Sequence, residues 1–319
     1  MNYLLQHWSF DPFVIGVAPV VVWHETGLAR LARRSRPERT RERRIRSLWF
    51  YAGLLVLLLA VMSPLDYWSD AYFMVHMAQH LLLMFAAPSL VVAGAPGQPL
   101  LDALPGRSGQ AVTRSVAAGG WSRPLRALWR FLTAPLTAVA LFNLAMITWH
   151  VPAAFDLAAG NTAVHIWLEH GSFFATGVLF WLQFIPSPPF RSRMPLLGRA
   201  AALLATNVVM IFIAMTLSIF ATHAVYAPYG HVPGVTLPPF ADQQIGAAIL
   251  WVCGDFWALP TMIVTIRKLM SDETGVGAAL DAFMRSGSRP WATRSRPPRP
   301  RPGVPRHGSS RTWTARAPR

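Results

Sequence analysis

Long apolar stretches alternate with short polar connections along most of the chain. Seven of these stretches are long enough to be transmembrane helices, because a membrane-spanning helix needs about 20 mostly apolar residues. They are Phe13–Leu31, Leu48–Leu65, Tyr72–Ala95, Leu132–Trp149, Ala163–Ile185, Ala200–Ala221 and Gln243–Ile266. The pattern therefore predicts an all-α membrane protein that folds as a seven-transmembrane-helix bundle.

The positive charges lie only in alternate connections. All 29 Lys and Arg residues fall at the first, third and fifth connections or after the seventh stretch. Connections rich in Lys and Arg stay in the cytoplasm. We therefore expect an N-terminus outside and a cytoplasmic C-terminus. The net charge of +15 could suggest a nucleic acid partner. The cations lie in blocks between apolar stretches, however, so we expect no nucleic acid partner for the membrane domain.

The composition excludes several classes of protein. Of the 319 residues only 13% are charged, whereas soluble domains carry about 25%. The single Cys excludes a disulfide scaffold, a Cys-based zinc or iron–sulfur site and a copper carrier that uses a Cys pair. The sequence also lacks a phosphate-binding loop, a zinc-protease motif and a nucleophile elbow. We therefore expect no enzymatic activity.

The chain divides into a membrane domain and a tail. Residues 1–270 are predicted to form the seven-span domain. Its segment 97–130 mixes Leu, Val and Trp with Arg, which is typical of interfacial helices on the cytoplasmic face. Residues 271–319 are predicted to be a disordered cytoplasmic tail, because Arg, Pro, Ser and Thr dominate from Ser286 onward. Contact of the tail with anionic lipid or nucleic acid is the alternative.

Eight of the ten His residues are predicted to lie on the side of the membrane that carries no Arg. His76 and His80 are four residues apart, so they share one face of the third span. His165 and Glu169 are also four apart, and His170 projects about 100° further round an α-helix. Ionisable residues inside membrane spans usually mark function.

This pattern predicts a metal site at the outer membrane surface. Imidazole suits copper, zinc, iron and nickel, and thioether sulfur selects cuprous copper. The candidate ligands are His76, His80, His165, His170, His150 and Met77. Glu169 and Asp242 are predicted to orient the imidazoles. The alternative is that hydrogen bonds to these two carboxylates satisfy the imidazoles, which would then be structural.

Four segments resemble the CtaG-type family of multi-span cytochrome c oxidase assembly factors of Gram-positive bacteria. They are HMAQHLLLMFAAP at His76–Pro88, WHVPAAFD at Trp149–Asp156, HIWLEHGSFF at His165–Phe174 and DQQIGAAILW at Asp242–Trp251. Leu250 replaces a Met that is frequent in the family, so no thioether is available there. The resemblance implies a multi-pass protein of the bacterial cell membrane that helps to mature the copper-containing subunit of a haem–copper oxidase.

Three functions are compatible with the sequence. An assembly factor would act as a chaperone, hold copper transiently, and have haem–copper oxidase subunits and membrane lipid as partners. A redox protein would bind haem between opposed His residues of two spans. A copper transporter would need polar ligands along a path to the cytoplasm, for which the sequence offers His24, Glu25 and Asp255.

Overall fold

The computed structural model describes residues 13–104, 121–231 and 236–271 and, singly, residues 7, 8, 10, 119 and 284. These ranges are helical apart from turns and one isolated bridge between Ser187 and Phe190. The helices are α1 Phe13–Ala32, α2 Pro37–Met62, α3 Pro64–Ser69, α4 Phe73–Ala93, α5 Gly97–Asp102, α6 Arg123–Leu132, α7 Pro135–His150, α8 Pro152–Ala159, α9 Gly171–Trp181, α10 Leu196–Phe220 and α11 Pro239–Ser271. A 3-10 turn at Ala227–His231 precedes α11.

Four of these helices are long and apolar enough to cross a membrane, namely α2, α4, α10 and α11. Helices α6 and α7 meet at a bend of 69° and provide a fifth span if they are counted as one. The prediction of an all-α protein with several membrane-spanning helices is thus confirmed for the described residues. The count of seven and the orientation of the termini stay predictions.

The predicted interfacial segment 97–130 is helical at both of its ends, where α5 and α6 lie. Residues 105–118 between them lie outside the described residues, as do residues 272–283 and 285–319 of the predicted tail. Helix α6 has no buried residue. Its exposure agrees with a helix that lies along the membrane surface before the bend into α7.

Helix α4 is the most buried of the four candidate spans. Gly177 of α9 packs on it so closely that a Cβ atom there would lie 2.7 Å from the Met84 carbonyl oxygen. Gly246 of α11 packs against Phe73, whose ring would lie 2.5 Å from such a Cβ. Only glycine permits these approaches, which are typical of helix contacts in membranes. The two contacts hold α9 and α11 against α4, where His76 and His80 lie.

Three π turns interrupt the helices of the described chain. They lie at Leu82–Ala86 within α4, at Val164–His170 before α9 and at Thr216–Phe220 at the end of α10. π turns are rare and are frequent at functional sites. The first begins two residues after His80, and the second contains three of the predicted site residues.

Candidate metal centre

The first two site residues lie at the start of α4. His76 and His80 are one turn apart, and their ring centroids are separated by 4.2 Å. Both side chains are buried among the helices. The four-residue spacing read from the sequence therefore places two imidazoles side by side inside the bundle.

The second group comes from the π turn Val164–His170. Its hydrogen bonds run to the fifth residue instead of the fourth, so residues five apart come close together. The ring centroids of His165 and His170 are only 4.1 Å apart. The prediction that His170 projects about 100° further round an α-helix was wrong, because the segment is a π turn.

The two groups and the end of α7 meet in one place. His76 lies 5.4 Å from His165 between ring centroids. His80 lies 6.1 Å from His170 and 6.3 Å from His150, again between centroids. We call these five residues the His cluster. The structure thus brings together all five imidazoles that the sequence predicted as ligands.

Glu169 lies at the centre of the His cluster and is fully buried. Its Oε2 is 2.7 Å from His165 Nδ1, and its Oε1 is 3.4 Å from His80 Nε2 and 3.8 Å from His76 Nε2. Ligand atoms of His76, His165 and Glu169 all lie within 4.8 Å of one another. Glu169, which the sequence predicted only to orient imidazoles, is therefore positioned to be a ligand itself.

The protonation of two rings follows from their hydrogen bonds. His165 Nδ1 contacts the Glu169 carboxylate, and His150 Nδ1 lies 2.6 Å from the Met146 carbonyl oxygen. Both partners can only accept a hydrogen bond, so Nδ1 of each ring carries a proton and donates it. In a neutral imidazole the Nε2 atom then keeps a free lone pair, which is the form that binds metals.

Tyr229 fixes the third ring in the same way. Its hydroxyl oxygen lies 3.1 Å from the Ser69 carbonyl oxygen and 2.9 Å from His76 Nδ1. The carbonyl only accepts, so the phenol donates its one proton to Ser69 and accepts from His76 Nδ1–H. Burial, and then the nearby Glu169 carboxylate, raise the pKa of Tyr229 well above its ordinary value. The phenol therefore stays protonated, and His76 Nε2 also keeps a lone pair.

Several buried polar atoms of the His cluster and of Glu169 have no hydrogen bond within the described chain. They are Nε2 of His76, His80, His150 and His170, Nδ1 of His80 and His170, and Oε1 of Glu169. An unsatisfied buried polar group costs about 1–3 kcal/mol, and the lone pair of His76 Nε2 faces an anionic oxygen. A bound cation removes this conflict. Imidazole nitrogen with one carboxylate oxygen suits copper, zinc, nickel or iron ions.

Asp242 acts on the first turn of α4. Its Oδ2 accepts from the Phe73 amide at 2.6 Å and its Oδ1 from the Met74 amide at 3.0 Å. It therefore anchors the helix start that carries His76. Met77 is fully buried in the hydrophobic core beside these residues. A bond from Asp242 to an imidazole and a ligand role for Met77 stay predictions.

Replacing Asp242 with Ala is expected to destabilise the protein by about 1–3 kcal/mol, because the buried Phe73 amide and the partly buried Met74 amide lose their acceptor. Thermal unfolding of the detergent-solubilised protein measures the change. Asp242→Asn retains one acceptor oxygen and should fall between wild type and Asp242→Ala. A Tm of Asp242→Ala equal to that of wild type would show that the contact does not hold α4.

The sequence analysis did not identify two tyrosines that contact the His cluster. Tyr229 binds His76, and Tyr226 donates to the His150 carbonyl oxygen at 2.9 Å. Both lie in the short loop between α10 and α11, in which the sequence analysis considered only the two His residues. One of these, His223, is exposed and contacts Thr222. A pair of Tyr residues three apart next to a predicted site is the signal that could have been used.

The other polar groups of the predicted spans have separate partners. His24 Nδ1 lies 2.8 Å from the Tyr51 hydroxyl, which donates to Glu25. Asp255 accepts a hydrogen bond from Asn207. These contacts involve no residue of the His cluster.

Residues 22–272 match the family model of the cytochrome c oxidase caa3 assembly factor. The chain therefore belongs to this family, and the resemblance seen in the sequence is confirmed. The role that defines the family is the assembly of an oxidase, which is not a catalytic role.

Three curated proteins of mycobacteria are similar to this chain. Uncharacterised proteins of Mycobacterium bovis and Mycobacterium tuberculosis are each 28% identical over 286 residues, and one of Mycobacterium leprae is 27% identical over 285 residues. The alignments cover 82–87% of this chain but only 39–42% of the relatives. The chain thus spans about two fifths of the length of these proteins. No solved structure matches it.

Proposed function

We propose that the protein holds copper transiently in the His cluster and passes it to the copper subunit of a haem–copper oxidase. Membership of the oxidase assembly family supports the oxidase as the recipient. The observation that supports copper is the set of buried imidazole nitrogens without a hydrogen bond in the described chain, of which His76 Nε2 and His80 Nε2 lie 3.8 and 3.4 Å from Glu169 Oε1. A metal cation is the ligand that satisfies lone pairs and a carboxylate together.

The number of donors fits a carrier better than a permanent site. Five imidazoles and one carboxylate offer more donors than a four-coordinate copper ion uses. His76, His165 and Glu169 form the compact group. His80, His150 and His170 stand next to it and supply donors for ligand exchange, which allows the ion to enter and leave without a large change in the fold.

We further propose that the cluster lies in the outer leaflet of a seven-span bundle. The cluster contacts the first residues of α4, whereas the Arg-lined surface around Arg39 reaches Ala95 just beyond the end of α4. A helix of this length separates the two by roughly 25 Å, which is close to the thickness of a bilayer core. The arginines then mark the cytoplasmic side.

Reporter fusions test this topology. A reporter that is active only outside the cytoplasm should be active when it is fused in the loop near His231 and inactive when it is fused near Arg193. The expectation follows from the segregation of all 29 cations. The reverse pattern of activity would refute the orientation.

Tyr229→Phe is expected to weaken copper binding about 10- to 100-fold, as is usual when the partner of a metal-binding imidazole is removed. The variant lacks the hydroxyl that accepts the hydrogen bond from His76 Nδ1–H. The tautomer of the His76 ring is then no longer fixed. Competition against a coloured copper chelator measures the affinity.

Tyr226→Phe is the matched control, because its hydroxyl donates to a backbone carbonyl instead of an imidazole. It should bind copper like the wild type. Equal losses in both variants would show that the effect is a general disturbance of the loop.

Metal analysis and a visible spectrum of the purified protein separate copper from the alternatives. Bound copper without a Soret band supports the proposal. A Soret band and stoichiometric iron would show that the imidazoles bind haem. Uptake of copper into vesicles that contain the protein alone would show a transporter.

A further inference from the structure

Two adjoining cavities open at the Arg-rich end of the bundle. The first has a volume of about 540 Å³, and most of its lining residues are polar or charged residues, which come mainly from α2. The second has a volume of about 750 Å³ and is lined mostly by apolar side chains of α4, α5 and α9. Arg191 lines both cavities, so a single elongated molecule can contact the two.

The polar cavity is strongly cationic. Its walls include Arg39, Arg43 and Arg46, which recur at intervals of three or four residues and so share one face of α2. Arg191 adds a fourth guanidinium and Glu42 a single carboxylate. The excess of positive charge in a confined space attracts an anion.

Two of the four guanidinium groups are held by the protein itself. Arg46 pairs with Glu42 at 2.9 Å, and Arg43 donates to Ser35 Oγ at 2.6 Å. Arg39 and Arg191 have neither an ion pair nor a hydrogen bond within the described part of the chain. Both are exposed to the cavity region. They are therefore available to bind an oxyanion, for which Arg offers two parallel N–H donors.

The backbone of this wall is also strained. Ala95 lines the polar cavity and has a φ of 49°, in the left-handed region that non-glycine residues rarely adopt. Residues in such conformations cluster at ligand-binding sites. The strain supports a built pocket at this position.

The second cavity supplies the apolar half of the site. Val92, Leu100, Val178 and Leu182 contribute to its walls, and Arg130, Arg191 and Arg193 are also among its lining residues. The three arginines are exposed. An apolar cavity with guanidinium groups at its edge matches an amphiphile that carries a negative head and a hydrocarbon chain.

We propose that this end of the bundle binds an anionic diacyl phospholipid. Its phosphate contacts Arg39 and Arg191, and one acyl chain occupies the cavity between α4, α5 and α9. Basic pockets between transmembrane helices on the cytoplasmic side are known to suit anionic lipid heads. A free phosphate leaves the apolar cavity unused, and a zwitterionic lipid offers no net charge to the four arginines. The site stands apart from the His cluster and does not depend on copper.

Lipid titration of the full-length, delipidated protein in detergent tests the proposal. Phosphatidylglycerol, phosphatidylcholine with the same chains and inorganic phosphate are the three probes, and native mass spectrometry counts bound lipid. We expect phosphatidylglycerol to bind at least tenfold more tightly than phosphatidylcholine, and phosphate at the same concentration not to displace it. Equal binding of the two lipids, or displacement by phosphate, would overturn the assignment.

Arg39→Gln with Arg191→Gln should weaken phosphatidylglycerol binding roughly ten- to thirtyfold, since each basic residue near the head contributes. Arg33→Gln with Arg34→Gln is the matched control. It removes the same charge from two exposed residues at the same end of the bundle, and neither of them lines these two cavities. Equal losses in both pairs would show that binding reflects overall charge, and the pocket would be refuted.

A second pair of variants tests the apolar cavity without touching the arginines. Leu101 lines this cavity and Leu125 does not, and about half of each side chain is exposed. Leu101→Glu should weaken phosphatidylglycerol binding at least tenfold, because a carboxylate there opposes both the chain and the phosphate. Leu125→Glu should leave it unchanged. Unaltered binding by Leu101→Glu would exclude this cavity as the chain site.

Discussion

Replacing both His76 and His80 with Ala is expected to abolish copper binding and oxidase maturation while the protein still accumulates in the membrane. The two rings lie side by side at the start of α4, and both face Glu169 Oε1. Their removal takes away two imidazoles and leaves the carboxylate without two of its neighbours. The copper affinity should fall by more than about 100-fold, which exceeds the usual effect of losing a residue that only supports a ligand.

His223→Ala is the control for this experiment, because His223 is exposed and its side chain contacts Thr222 in the loop after α10 instead of a residue of the His cluster. It should retain full copper occupancy. If the two cluster residues are structural, the double variant should instead accumulate poorly, and the surviving protein should bind copper normally. Copper occupancy equal to that of wild type would remove His76 and His80 from the site.

The sequence predicted the cluster because membrane helices restrict where a polar residue can be placed. His76, His150 and His165 each stand near one end of a predicted span, and the sequence predicted those ends on the same side of the membrane. When the spans pack side by side, side chains at the same end of the bundle come close to one another. The four-residue spacing of His76 and His80 added the direction of the side chains, which the structure confirms.

The central position of Glu169 could not be predicted in the same way. It depends on the π turn Val164–His170, and a π turn forms when the packing of neighbouring helices offsets its weaker hydrogen bonding. No local preference of these residues marks it. Tyr229 is another example, because its contact with His76 joins residues 153 positions apart. Such contacts arise from the tertiary fold.

The number of spans shows where hydropathy alone is ambiguous. The first predicted span contains Pro19, His24 and Glu25, and the helix α1 that forms there is not among the four that are long and apolar enough to cross a membrane. The fifth is divided between a π turn and α9. The length and apolar character of the stretches predicted both spans, whereas the segregation of charge predicted which side of the membrane each connection lies on.

Glu169→Gln is expected to abolish copper binding without destabilising the metal-free protein. The substitution keeps the size of the side chain and removes the negative charge at the centre of the His cluster. The carboxylate oxygen Oε1 now faces His76 Nε2 and His80 Nε2, and the amide of Gln would place N–H donors there. Those donors satisfy the imidazole lone pairs that a cation would otherwise satisfy, so the apo protein should unfold at the same temperature as wild type or higher.

Two measurements on Glu169→Gln distinguish a metal centre from a structural hydrogen-bond network. Wild type should gain thermal stability when copper is added, because a ligand that binds only the folded state stabilises it by about 2.7 kcal/mol at 100 times its Kd. Glu169→Gln should show no such gain at the same copper concentration. A structural carboxylate predicts the opposite result, namely a lower Tm of the metal-free variant because His165 Nδ1 loses its charged partner. If copper stabilises the variant as much as wild type, Glu169 does not bind the ion, and the ligands must come from the imidazoles alone.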